Sequence, residues 1–465
     1  MDGERPFYFI VSFWGREYRE LFLRLCVSSL LSPGNIPSLS GSRSSRFLIC
    51  TTKEDWALIL SDPLVQLLAA TTILEFIELR RPVPDFLQSV YHEKLRRMGS
   101  DPDGIFALPA DGALSPSDVA SSEAFAELET ISREIGSKLT HHHQYALRIL
   151  FMSAGHKAAA CRAHADQAYA VFLAPDMVLS DGAIAELDRL ARQGSKVVLA
   201  AACRFAQDEC LAAFQKGGLV TPGRPLILPP RLLVDIAFSH PHPETVCFEF
   251  NAPYFCDTAT SAMWRVPGDN GCLMHSFFWA PLLVSYGDIG VHHADYFDRG
   301  GTTDGQYISM HFNTDRDLTV ITDSDVLMLA SFTRKEEYSY PVRSHVLKRQ
   351  SELAAAYKVH RIRTSLYGPM GDPLKRRLYA VPVYFHSGPI SPAWDAVERQ
   401  TSGLVARAVK QPGRLVLWAI RLNGFFAGQH FKSLCWFAIT YPVSKLPSHR
   451  REQLRWLIRK VGIAA

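Results

Sequence analysis

Five short apolar runs, rich in β-branched and aromatic residues, constrain this chain more than any other feature. They are Pro6–Ser12 (PFYFIVS), Arg46–Thr51 (RFLICT), Thr72–Leu79 (TILEFIEL), Ala168–Pro175 (AYAVFLAP) and Lys196–Ala202 (KVVLAAA). Runs of this length and composition read as buried strands. Between them lie segments with helical spacing: Tyr18–Leu31, Glu54–Ala70 around Pro63, His141–His164 behind an N-cap at Thr140, and Asp181–Gln193 ending at Gly194. Strand alternating with helix implies a mostly parallel sheet with helices on its faces. Residues 32–45, 99–122 and 218–232 are rich in Gly, Pro and Ser or Asp and read as loops, the second as a lid. From 245 to 330 the pattern changes to short strands and loops rich in His, Asp, Trp and Phe.

A chain of 465 residues exceeds one ordinary core, so two units are expected. Composition places them at 1–335, the α/β domain, and 336–465, a helical, basic and aromatic region. Residues 401–465 carry eleven Lys/Arg and one acid, Glu452, a charge of +10 that leaves −6 for the first 400 residues of a chain whose total is +4. Within 414–444, Trp418, Phe425, Phe426, Phe431, Trp436, Phe437 and Tyr441 accompany Arg414, Arg421 and Lys432. The uncharged runs there are too short to cross a bilayer, but an interfacial helix on a membrane surface fits, as does a helical cap on the first domain. Nucleic-acid binding by this stretch is disfavoured, because no matching module is evident. The nine cysteines include no CxxC pair and several sit in apolar runs, so reduced buried thiols are expected, not a disulfide framework or a structural zinc site. The opening Met1-Asp2-Gly3-Glu4-Arg5 lacks the pattern of a signal peptide, and the expected location is the cytoplasm, with peripheral contact on the inner face of the membrane.

Ligands of a parallel α/β sheet bind beyond the carboxyl ends of its strands. That rule selects Phe13, Trp14 and Gly15 after the first strand, Thr51, Thr52, Glu54 and Asp55 at the second, and Asp176 after the strand that ends in Pro175. The helix before that strand runs antiparallel to it, which brings its N-terminus, with His141, His142 and His143, to the same edge. Its free N–H groups and positive dipole end suit a phosphate, and Arg148 two turns on adds a charge. No GxSxG, P-loop or strand-coupled GxGxxG occurs, which argues against α/β-hydrolases, P-loop NTPases and Rossmann dehydrogenases.

The segment from His143 to Gln193 resembles the middle of GT-A glycosyltransferases, in which a helix leads to a buried strand ending in a DxD motif and an apolar helix follows. PFYFIVSFWG and RFLICTTKED resemble the first two strand–loop units of that family. The resemblance covers about residues 1–330. It implies a GT-A-like fold, transfer of a sugar from a nucleotide-sugar to a glycan, lipid or small-molecule acceptor, and a divalent cation (Mn²⁺ or Mg²⁺) on the diphosphate. The motif falls on Ala174-Pro175-Asp176, so the first acid is missing and Asp176 alone matches. A lone carboxylate can ligate such an ion if diphosphate and water complete six oxygens. The family's late histidine would fall on His292 or His293, and Asp295 or Asp304 would serve as general base in an inverting reaction. Asp323-Ser324-Asp325 is a competing DxD string after a strand. Trp264 and Arg265, in a turn-rich stretch, suit an acceptor sugar or phosphate, while Phe277, Phe278 and Trp279 read as core. A nucleotidyltransferase or a non-catalytic GT-A relative are the alternatives.

Overall fold

The computed structural model describes residues 5–39, 44–79, 141–252, 260–298, 301–337, 359, 362 and 373–410, without the side chains of 141–151, 298, 373, 407 and 410. The expected lid (99–122), Thr140, Arg299, Gly300 and the basic aromatic stretch 414–444 lie outside those residues. Among the described residues no helix is long and apolar enough to cross a membrane. The chain divides into two units, one of residues 1–242 with 279–335 and one of 243–278 with 336–465. Residues 243–278 thus group with the C-terminal part, not with the sheet that flanks them in sequence.

The first unit is a mixed α/β structure. Its elements begin with β1 (Phe7–Ser12), α1 (Gly15–Leu21), which continues through a π-helical stretch Phe22–Val27, β2 (Ser45–Thr51), α2 (Lys53–Ile59), α3 (Pro63–Thr71) and β3 (Ile73–Glu78). After the interval come α4 (His141–Ala165), β4 (Tyr169–Leu173), β5 (Met177–Leu179), α5 (Ala183–Arg192), β6 (Val197–Ala201), β7 (Cys203–Ala206), α6 (Gln207–Lys216) and α7 (Pro230–Ser239). Strands β8 (Ser261–Arg265) and β9 (Cys272–Ser276) belong to the second unit. The first resumes with β10 (Trp279–Ser285), α8 (Asp295–Asp298), α9 (Gly305–His311), β11 (Leu318–Ile321) and β12 (Leu329–Thr333).

Seven strands form one sheet in the order β11-β6-β10-β4-β1-β2-β3, and β5-β12-β7 form a smaller one. Strands β4, β1, β2 and β3 are mutually parallel. β10 enters antiparallel between β4 and β6, and β11 runs parallel to β6. The register of β10 slips between Pro281 and Leu283, where proline has no N–H to donate to a ladder. Every residue of β1, β4 and β6 is buried, as strands covered by helices on both faces require.

Side chains alternate across a strand. Phe7, Phe9 and Val11 of β1 therefore share one face with Phe47, Ile49 and Val171, and pack with Phe22, Val27, Leu30, Leu68, Ile184 and Leu187 in the main core. Ser12 and Cys50 face the other way, toward α4. The approach there is so close that a Cβ on Gly155 would stand 2.4 Å from Ser12 Oγ and 2.8 Å from Cys50 Cβ.

The second unit pairs β8 and β9 antiparallel with β13 (Val383–Phe385). Helices α10 (Pro373–Ala380) and α11 (Pro392–Lys410) contribute Tyr379, Trp394 and Val405 to a core with Phe250, Trp264 and Leu273.

Candidate functional site

From β1 the chain steps to β2 and β3 on one side, while β4 lies on the other. The carboxyl ends of β1 and β4 therefore flank a point where strand order reverses, the crevice in which open α/β sheets bind ligands. Trp14 and Gly15 stand on its β1 side and Asp176 on its β4 side.

The residues after β1 divide by face. Phe13 is 1% exposed and stacks on Phe22 with ring centroids 4.6 Å apart, so it is core, not the ligand contact expected from sequence. Trp14 is half-buried beside Tyr18. Gly15 is exposed with φ +79°, a conformation that suits glycine. Its N–H donates to Asp55 Oδ2 at 2.7 Å. Asp55 also accepts from Thr52 Oγ1 at 3.1 Å and pairs with Arg19. With all three partners on the protein and 4% exposure, Asp55 fastens the β1–α1 turn to α2 instead of facing a ligand. Thr51 is fully buried with its hydroxyl unpartnered, and it too points inward.

Asp176 lies half-buried at the bend between β4 and β5. Its Oδ2 accepts from Ser331 Oγ at 2.6 Å, and its carbonyl accepts from Phe332 N at 3.0 Å. Strand β12 thus holds the bend in place. The neighbouring Cys26 thiol is pushed far up by burial first and by the Asp176 charge second. Tested against a divalent cation, the site supplies one carboxylate, since Ala174 offers no oxygen on its side chain; phosphate and water would have to provide the other ligands.

Asp323, Ser324 and Asp325 follow β11 at the same carboxyl edge, but β11 is three strands from β4, about 14 Å across the sheet. Asp323 Oδ1 accepts from Asp325 N at 2.8 Å, and Asp325 takes a bidentate grip from Arg231 at 2.7–3.2 Å.

The histidines expected to complete the metal site are at the other edge. Because β10 is antiparallel, its end at Ser285 pairs with Tyr169, the first residue of β4. His292 and His293 follow that end, a strand length of about 17 Å from Asp176. They do not share an ion with it. Asp304 is there as well, capping α9 by accepting from Gln306 N at 3.0 Å and Tyr307 N at 3.3 Å, with Tyr296 Oη at 3.1 Å. Asp295 is exposed on α8 at the same edge. Neither acid stands where a base for chemistry at Asp176 would be needed.

Helix α4 begins at His141 as expected, and the side chains of His142, His143 and Arg148 lie outside the described residues. Gly155 marks the level of the sheet edge through its contact with Ser12 and Cys50. Fourteen residues upstream, the first turn is about 21 Å further along the axis. The helix N-terminus thus lies on the carboxyl side of the sheet but well beyond the strand ends.

Trp264 and Arg265 belong to the second unit. Trp264 is 5% exposed and stacks on Phe250 at 5.0 Å, which makes it core and not an acceptor platform. Arg265 is engaged by Glu249 at 2.7 Å and donates to Asn270 O at 2.8 Å. Of the run 277–279, Trp279 is buried, whereas Phe278 is 52% exposed.

No protein-family model and no curated protein sequence matches the chain. The fold and the residues at its edges carry the functional argument alone.

Proposed function

We propose that the first unit is a GT-A-like glycosyltransferase that binds a nucleotide-sugar at the β1/β4 switch point and passes the sugar to a glycan, lipid or small-molecule acceptor. The observation that carries the reading is the convergence of Trp14, Gly15 and Asp176 where the strand order reverses. Open α/β sheets bind nucleotides at such a crevice. Trp14 offers an aromatic surface on the rim, and Gly15 offers a backbone that a ligand can approach without meeting a side chain.

In this reading Asp176 would supply the protein's oxygen to a divalent cation, whose chemistry there would be to offset charge on the diphosphate leaving group. Ser331 and the β5–β12 pairing hold that carboxylate at the bend, so little reorganisation is needed at the moment of reaction. The reaction breaks the bond between the anomeric carbon and the diphosphate oxygen and forms one to an acceptor hydroxyl, whose proton goes to a base other than Asp295 or Asp304.

The test is a thermal-shift screen of the full chain against UDP-, GDP- and CMP-sugars with and without Mn²⁺. A ligand at 100 times its Kd stabilises the folded state by about 2.7 kcal/mol, a readable rise in Tm. A shift with one sugar nucleotide, lost in Asp176→Ala, supports the reading and names the donor class. A larger shift with nucleoside triphosphates redirects it to nucleotidyl transfer. No shift with any nucleotide, in a folded sample, overturns it.

A further inference from the structure

The amino edge of the sheet gathers four imidazoles in the first unit: His164 near the end of α4, His292 and His293 after β10, and His311 at the end of α9. Ring centroids are 5.2 Å apart for His164 and His292, 6.0 Å for His292 and His311, and 5.5 Å for His293 and His311. Tyr286, Phe297 and Tyr307 wall the cluster from within.

The hydrogen bonds assign the ring nitrogens. His164 Nε2 meets Ile289 O at 2.9 Å, and His311 Nδ1 meets Tyr307 O at 2.8 Å. A carbonyl only accepts, so these nitrogens carry the protons, and a neutral ring then keeps a lone pair on His164 Nδ1 and on His311 Nε2. His292 Nε2 is buried with no hydrogen-bond partner. A ring N–H on a backbone carbonyl with the opposite nitrogen left as donor is how metal-binding histidines are oriented.

We propose that His164, His292 and His311 bind one transition-metal ion of the Zn²⁺ class at the amino edge of the sheet, apart from Asp176. Two imidazoles on a tetrahedral ion, with metal–nitrogen bonds of about 2.0–2.1 Å, place their ring centroids about 5.2 Å apart. The His164–His292 spacing of 5.2 Å meets that value, and His311 stands 0.8 Å wider of His292 at 6.0 Å. No three of these histidines already hold their nitrogens within 4.8 Å of one another. Closing on an ion takes side-chain rotation and release of the 3.3 Å contact between His293 N and His311 Nε2. Three imidazole nitrogens without a carboxylate favour Zn²⁺, Co²⁺, Ni²⁺ or Cu²⁺ over Mg²⁺. His164 and His311 are half-exposed, which leaves an entry path and a fourth position for water. His293 is exposed on the rim and reaches the set through its backbone.

This inference does not rest on the transferase reading. The full chain, stripped with chelator, is titrated with Co²⁺ and followed by its visible d–d bands, with Zn²⁺ competition measured by calorimetry. One ion per chain with a tetrahedral spectrum is expected. His164→Gln and His311→Gln, on half-exposed rings, should each weaken binding at least about tenfold, with far-UV CD unchanged. His292→Ala should remove the tetrahedral bands. His293→Ala and Asp176→Ala should bind within about twofold of the parent. Failure to bind Co²⁺ or Zn²⁺ below millimolar, binding that survives both glutamine variants, or binding lost in Asp176→Ala would each overturn the assignment.

Discussion

Replacing Asp55 with alanine tests whether that carboxylate fastens the first loop or serves a ligand. It accepts from Gly15 N and Thr52 Oγ1 and pairs with Arg19, with side-chain exposures of 5% for Asp55 and 19% for Arg19. Removing one member of a buried ion pair costs about 3–5 kcal/mol, because the other charge is left unsatisfied. Arg19 retains some access to water and can turn outward, which lowers the expected loss to about 2–4 kcal/mol. Urea unfolding of the full chain, followed by Trp fluorescence and far-UV CD, measures it without the screening that guanidinium chloride would bring. The transition of the first unit should move to lower urea. Arg19→Met added to Asp55→Ala should cost no more than about 1 kcal/mol further, since the stranded charge is gone. An effect of Asp55→Ala below about 0.5 kcal/mol, or two single losses that simply add, would refute the account of Asp55 as a structural clamp.

Gly155→Ala should destabilise the first unit by about 1–2 kcal/mol in the same assay, because crowding of Ser12 and Cys50 outweighs the roughly 1 kcal/mol of helix propensity gained. His156 is buried and its pKa is pushed down to about 4. A base depressed in the folded state leaves stability whole above the unfolded value near 6.5, and stability then falls as pH drops toward 4. The expected loss from this residue is about 2 kcal/mol between pH 7.5 and 5, and His156→Leu should flatten that part of the curve. Trp264→Ala should lower the stability of the second unit by about 3–5 kcal/mol and leave any nucleotide-induced thermal shift intact.

The parallel half of the sheet was legible because its strands are covered on both faces and so read as unbroken apolar runs. Residue parity was the first thing lost. Phe13, Trp14 and Gly15 all follow β1, and only the stack on Phe22 reveals that Phe13 turns inward while its neighbours stay at the rim. Strand direction was the second. WAPLLVS, interrupted by Pro281, is apolar whichever way it runs, and its side chains say nothing about polarity. The family resemblance put His292, His293, Asp295 and Asp304 beside Asp176; the antiparallel entry of β10 puts them at the opposite edge. Asp304 carried a local signal that was available in the sequence, an acid before Gly305 and a short helical run, which is the pattern of an N-cap. Trp264 gave none, because its partner Phe250 and the strand β9 beside it are contacts between segments that composition leaves in loops.

The place of β10 also sets the order in which the sheet can be completed during synthesis. Strands β4, β1, β2 and β3 can pair once residue 173 has emerged. β6, made soon afterwards, has no neighbour until residues 279–285 arrive to bridge it to β4. In between, the ribosome must deliver residues 243–278, which belong to the other unit. For that interval two apolar strands present open edges, the condition under which nascent chains pair with the wrong partner. A chain halted before Trp279 would keep both edges open for good, so a fragment ending near residue 240, although it contains Trp14, Gly15 and Asp176, is the truncation to avoid when a minimal domain is sought.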